Sequence, residues 1–185
     1  MRRFRLWVHA DSHQRSLAPL VDAALEGDFS LVVSDELIDV ALDPYVRPEK
    51  PEALRDLWIA DAGTNVRVAT LDERVFDWVE KAQLYRMLTT LPYGAYSHET
   101  FLMRVMQDAV VYETLKAGIA TQLNTSLMTT LHVFAEANMN VSIAAKRLHL
   151  HRNTVMYRLE QVEQLTTINP RVFDGLAVFR TLFSR

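Results

Sequence analysis

The stretch AAKRLHLHRNTVMYRLEQVEQL, residues 144–165, constrains this chain more than any other. Ala145, Leu150 and Val155 fall five residues apart, with Thr154 just before the last of them. A small residue where helices cross, an apolar residue in the joint and another early in the next helix make the spacing of a helix-turn-helix unit. Upstream, SLMTTLHVFAEAN puts Leu127, Leu131, Phe134 and Ala135 on one helical face, behind a cap at Thr125 or Ser126 and ending at Asn138. A second helix is predicted over about 141–148, with Ile143, Ala144 and Leu148 inward. A third begins at about His151. Its positions Val155, Leu159 and Val162 follow the i, i+4, i+7 rule and define its buried side. Asn153, Met156, Tyr157, Glu160 and Gln161 then lie mostly opposite, with Arg152, Thr154 and Arg158 on the flanks.

That polar start has a chemical use. The second helix of such a unit enters the major groove N-terminus first, where free N–H groups meet phosphate and Arg, Asn and Thr side chains reach base edges or backbone oxygens. The candidate DNA contacts are His151, Arg152, Asn153, Thr154, Met156, Tyr157, Arg158 and Gln161. The competing interpretation is a small helical bundle with a solvated polar face. The turn position usually given to glycine holds His149, which must accept a left-handed backbone or adopt another turn.

Charge is distributed in the same sense. Residues 1–120 carry 13 Lys/Arg against 19 Asp/Glu, whereas residues 121–185 carry 7 against 4, so a whole-chain net charge of −3 hides a basic end. Cysteine is absent, which removes disulfides and thiolate-held zinc or iron–sulfur sites and fits a reducing cytoplasm. The opening MRRFRLWVHADSHQ is too poor in apolar residues for a signal-peptide core, and no run of 18 apolar residues occurs. A cytoplasmic location with no membrane partner is the expectation.

The predicted fold class is α+β overall: a small N-terminal α/β module (residues 1–75, a candidate sensor or dimerisation module), a helical connector (76–121) and an all-α C-terminal helix-turn-helix DNA-binding domain (122–185). In the first, FRLWVHA and FSLVVS are β-prone, RSLAPLVDAAL and DELIDVAL have helical spacing, and DLWIADAGTNVRVATLD suggests two strands around Gly63, Thr64 and Asn65. PYVRPEKP, with three prolines, is a loop. In the connector, DERVFDWVEKAQLYRMLTTL and ETFLMRVMQDAVVYETLKAG are long helical patterns, broken by LPYGAYSH and ended by Gly118.

The segment TLHVFAEANMNVSIAAKRLHLHRNTVMYRLEQVEQLT resembles the C-terminal helix-turn-helix of the PucR and sugar-diacid-regulator (CdaR) family of bacterial transcription regulators. The likeness rests on Thr130, Leu131, Phe134, Asn138 and Asn140, on the run Ala145 to Thr154, and on Tyr157, Arg158 and Leu159. It covers about 60 residues well and extends more loosely through LYRMLTTLP. By implication His151, Arg152, Asn153, Thr154, Tyr157 and Arg158 fall on the family's recognition-helix motif. The resemblance also implies an upstream effector-sensing or degenerate nucleotide-cyclase-like domain, for which residues 1–75 show no GGDEF-type signature.

Other patterns carry less. His9 and His13 flank Asp11 at metal-ligand spacing, but the segment reads as a strand end running into a helix cap, with no third ligand. Asp35, Glu36, Asp39 and Asp43 read as the solvated face of an amphipathic helix rather than a cation site. Trp58 and Trp78 read as core, and Met87, Met103, Met106 and Met139 as packing. No G-x-S-x-G elbow, Gly-rich phosphate loop or cysteine nucleophile is present, so an enzyme is not expected and no cofactor is called for.

The expectation is a DNA-binding transcription regulator with double-stranded DNA as partner and a small-molecule effector of unknown identity. Two alternatives stay open: a Fis-like architectural DNA binder, and a protein- or ligand-interaction module whose helix-turn-helix no longer binds DNA. A homodimer is expected, because Trp78, Leu84, Leu88, Phe101, Leu102, Val105, Val110 and Leu115 offer more apolar surface than a solvated connector needs.

Overall fold

The computed structural model describes residues 3–11, 14–25, 29–34, 37–42, 54–56, 58–59 and 64–184. They fall into two compact units, Met1–Val105 and Met106–Arg185. The division differs from the boundaries at 75 and 121 suggested by composition, and the reason is packing. Helices following residue 75 cover the sheet of the first unit, and the helix over 109–122 packs among those of the second.

The first unit is built on strands β1 (Phe4–His9), β2 (Phe29–Val33), β3 (Ile38–Leu42), β4 (Arg67–Asp72) and β5 (Gly94–Tyr96). Their order is β2-β3-β1-β4-β5; β4 and β5 run parallel and the other neighbours antiparallel. Alternation along β1 sends Leu6 and Val8 to one face and Trp7 and His9 to the other, and all four are buried because both faces are covered. On the first face, Leu6, Val8, Val40 and Val68 meet Leu17 and Val21 of α1 (Gln14–Ala24), together with Leu54 and Trp58. On the second, Trp7 stacks on Phe76 at 5.6 Å between centroids and meets Tyr85 and Phe101 edge-on at 6.2 and 6.4 Å. A 3-10 turn (Glu73–Asp77) and helices α2 (Lys81–Thr90) and α3 (His98–Val105) supply those rings and bury Leu84, Leu88, Phe101 and Leu102.

The α+β class holds, while several element assignments change. DELIDVAL is not helical where it is described: Ile38 to Leu42 is a strand of the sheet interior. Its Asp39 is therefore not on a solvated helix face. It is buried among Trp7 Nε1, which donates at 3.0 Å, Arg5 Nη1 at 3.1 Å and Lys81 Nζ. Asp35, Glu36, Asp43, His13, Gly63 and the PYVRPEKP loop lie outside the described residues. Residues 54–56 and 58–59 are helical, so among the described residues only the second of the two strands expected around Gly63 is found. His9 ends β1 with Nδ1 at 3.2 Å from Tyr85 Oη and Nε2 at 3.2 Å from Asp11 Oδ1. Trp58 is core, as expected, and Trp78 is half-buried.

In the second unit the helices are α4 (Ala109–Gln122), α5 (Thr125–Glu136), α6 (Val141–Leu148), α7 (Arg152–Thr166) and α8 (Phe173–Phe183). Helix α4 starts where Asp108 Oδ1 accepts from Val110 N and Val111 N, both at 3.0 Å, which breaks the long pattern expected after residue 98. It runs through Gly118 rather than ending there. Of the apolar residues offered for self-association, Leu84, Leu88, Phe101, Leu102, Val105 and Leu115 are buried, and Val110 is 62% exposed. Among the described residues, no helix is long and apolar enough to cross a membrane.

Candidate nucleic-acid interface

Each helix of the α5–α6–α7 unit is capped at its N-terminus by a polar side chain. Asn124, not Thr125 or Ser126, caps α5, its Oδ1 accepting from Leu127 N at 2.9 Å. The α5–α6 joint passes through Asn138 and Met139, both with positive φ. Asn140 then caps α6 by accepting from Ser142 N and Ile143 N, each at 3.0 Å. An asparagine at each place is what the backbone asks for: tolerance of the left-handed region first, a capping acceptor second.

The turn into α7 settles the question about His149. It sits at φ 54°, ψ 40°, in the left-handed region, without glycine's freedom. Its N–H donates to Lys146 O at 3.2 Å, and Leu150 N donates to Ala145 O at 2.9 Å. This pair of bonds is a Schellman closure, and it satisfies carbonyls at the end of α6 while turning Leu150 back toward Ala145. The five-residue spacing seen in the sequence is thus a hydrogen bond in the structure.

Helix α7 opens with His151 as its cap, Nδ1 accepting from Asn153 N at 3.2 Å. Val155, Leu159 and Val162 are fully buried, as their spacing predicts, against an α5–α6 layer that includes Thr130, Leu131, Phe134, Ala144 and Ala145. Burying that side leaves His151, Arg152, Asn153 and Tyr157 exposed together at the start and outward face of α7. Thr154, Met156 and Gln161 are half-buried at its margins, and Gln161 Nε2 donates to Tyr157 Oη at 3.3 Å. Arg158 departs from the group: half-buried, it turns toward α5, its Nη1 donating to Thr130 Oγ1 at 3.2 Å.

Helix α6 adds residues that the sequence reading did not select. Ser142, Lys146 and Arg147 are exposed, and Ile143, expected inward, is 44% exposed. The signal was available: with Ala144 and Ala145 both buried, a residue 200° around the helix from Ala145 cannot share their side. Arg147 lies 4.0 Å from Glu136, which also holds His132 Nε2 at 3.1 Å.

Residues 127–182 match the PucR C-terminal helix-turn-helix domain. The purine catabolism regulatory protein of Bacillus subtilis (strain 168) is 52% identical over 44 residues, 24% of this chain and 8% of that protein. The uncharacterized protein YxkF of the same organism is 39% identical over 49 residues, 26% of this chain and 16% of that one. Both alignments thus span a small part of the relatives' length. The crystal structure of the regulator of polyketide synthase expression from Bifidobacterium adolescentis aligns over 98% of this chain and 78% of its own, at 14% identity and a TM-score of 0.49.

Proposed function

Because residues 127–182 are a PucR-type C-terminal helix-turn-helix domain, we propose that the chain is a transcription regulator that reads double-stranded DNA with α7 in the major groove. One observation carries this reading: the buried stripe of α7 is filled by Val155, Leu159 and Val162, while His151, Arg152, Asn153 and Tyr157 stand exposed together at its start and outward face. Polar groups collected at an exposed helix start are what base edges and phosphates require. Arg152 and Asn153 are the base-reading candidates, with Thr154, Met156, Tyr157 and Gln161 along the groove. Arg158 acts behind them, holding α7 to α5. Lys146 and Arg147 supply positive charge for phosphate.

One such unit reads few base pairs, so two copies on half-sites about 34 Å apart are needed for useful specificity. A homodimer is part of the proposal. Its surface is open, since most of the apolar residues first offered for it are buried. The first unit is the place for an effector, whose identity is open, and no catalytic role is proposed.

The test is selection of bound duplexes from a random DNA pool by the full chain. Enrichment of a two-fold motif supports the regulator and the dimer together. Strong bending with weak preference points to the architectural alternative, and no salt-sensitive binding to any duplex overturns the reading.

A further inference from the structure

We propose that the helix it caps keeps the ring proton of His151 on Nε2, so that the DNA atom facing it is a hydrogen-bond acceptor. The inference rests on the DNA-binding reading above. It starts from one bond: Asn153 N lies 3.2 Å from His151 Nδ1. A backbone amide only donates, so Nδ1 carries a lone pair at that point and no proton. A neutral imidazole has a single N–H, which is then on Nε2.

The usual capping residues spend their side chain on the cap. Serine, aspartate and asparagine are short, and their remaining atoms stay close to the helix end. Imidazole differs because its two nitrogens lie on different edges of one rigid ring. At φ −71°, ψ 144° His151 is outside the helix proper. Its ring is exposed, and its Nε2 has no hydrogen-bond partner among the described residues. One edge closes α7 while the other stays available, and the available edge is a donor.

That fixes the chemistry it recognises. On duplex DNA the complementary atoms are phosphate oxygens and, in the major groove, guanine N7 and O6, adenine N7 and thymine O4. The amino groups of adenine and cytosine are excluded, since taking a proton from them would need the lone pair already engaged with Asn153 N. The specificity of the site is therefore shaped by a bond inside the protein.

The experiment uses the full chain and a duplex recovered from the random pool. Nitrogen-15 spectra of the imidazoles, with His151 assigned by its loss in His151→Ser, should show Nδ1 unprotonated and Nε2 protonated; an Nδ1–H tautomer overturns the proposal. His151→Ser keeps a capping acceptor and loses the outward donor, whereas His151→Ala loses both. The serine variant should keep the wild-type unfolding midpoint yet bind about tenfold more weakly, the loss of one hydrogen bond. Single methylphosphonate or 7-deazapurine substitutions then locate the acceptor: at that position the wild type loses affinity and the serine variant loses none further. A serine variant binding as tightly as wild type reduces His151 to a cap and overturns the inference while leaving the regulator intact. Failure of the wild type to bind any duplex overturns both, and is seen before any variant is compared.

Discussion

The guanidinium of Arg158, on the helix that carries the exposed polar cluster, donates to Thr130 Oγ1 on α5 at 3.2 Å. Thr130 is fully buried, and its own hydroxyl donates to Ser126 O at 2.8 Å. The contact ties the exposed helix to the helix behind it. Arg158→Ala and Thr130→Val should each destabilise the C-terminal unit, and the two losses should fail to add by about 1 kcal/mol, since either change alone removes the same bond. Denaturant unfolding of both single variants and the double variant measures it. Simple additivity would mean the contact contributes nothing.

A second expectation concerns the turn. His149 occupies the left-handed region at φ 54° with an exposed side chain, so the position costs strain and gains no packing. His149→Gly should raise the stability of the unit by about 0.5–1 kcal/mol, while His149→Ala, equally strained, should not. A glycine variant less stable than wild type would show that the imidazole makes a contribution larger than the strain.

Asp11 gives a pH expectation for the first unit. The Tyr93 hydroxyl, then Arg67, whose Nη1 donates at 2.7 Å, hold its carboxyl at about 2, down from 3.8. A carboxylate with a lowered folded pKa adds stability above its unfolded value and loses it as pH falls toward the folded one. Wild type should therefore melt above Asp11→Asn at pH values over about 4, and the gap should close by about pH 2. The carboxylate is half exposed, so solvent keeps the gap small. Thermal melts across that window test it; a gap of constant size would place its origin elsewhere.

What the sequence reveals here depends on how local the cause is. Helix α6 was legible to its ends, because Asn140, Ala145 and Leu150 set its cap, its crossing and its closure within eleven residues. Helix α7 was legible from one buried stripe. Strand β3 was not: Ile38, Asp39 and Val40 are all buried because the sheet is covered on both sides, and a polar residue inside the run gives no local sign of that cover. Asp39 looked solvated because its partners Arg5, Trp7 and Lys81 are more than thirty residues away. Three-residue β5 exists only beside β4. In the candidate interface, the inward turn of Arg158 could not be read from α7 alone, since its partner belongs to α5.

The last expectation separates reading from holding on α7. Asn153 is exposed in the first turn; its backbone N–H is already used by His151 Nδ1, so its side chain can be truncated without touching the cap. Asn153→Ala should leave stability unchanged and relax preference at particular base pairs, costing about 1–3 kcal/mol on the selected site and far less on random duplex. Lys146→Ala, an exposed change at the end of α6, should instead weaken all sequences alike and lower the salt slope by about one unit. Binding of each variant to selected and random duplexes at several salt concentrations distinguishes the two behaviours. Equal, sequence-independent losses from both would remove Asn153 from base recognition and leave α7 bound to DNA through charge alone.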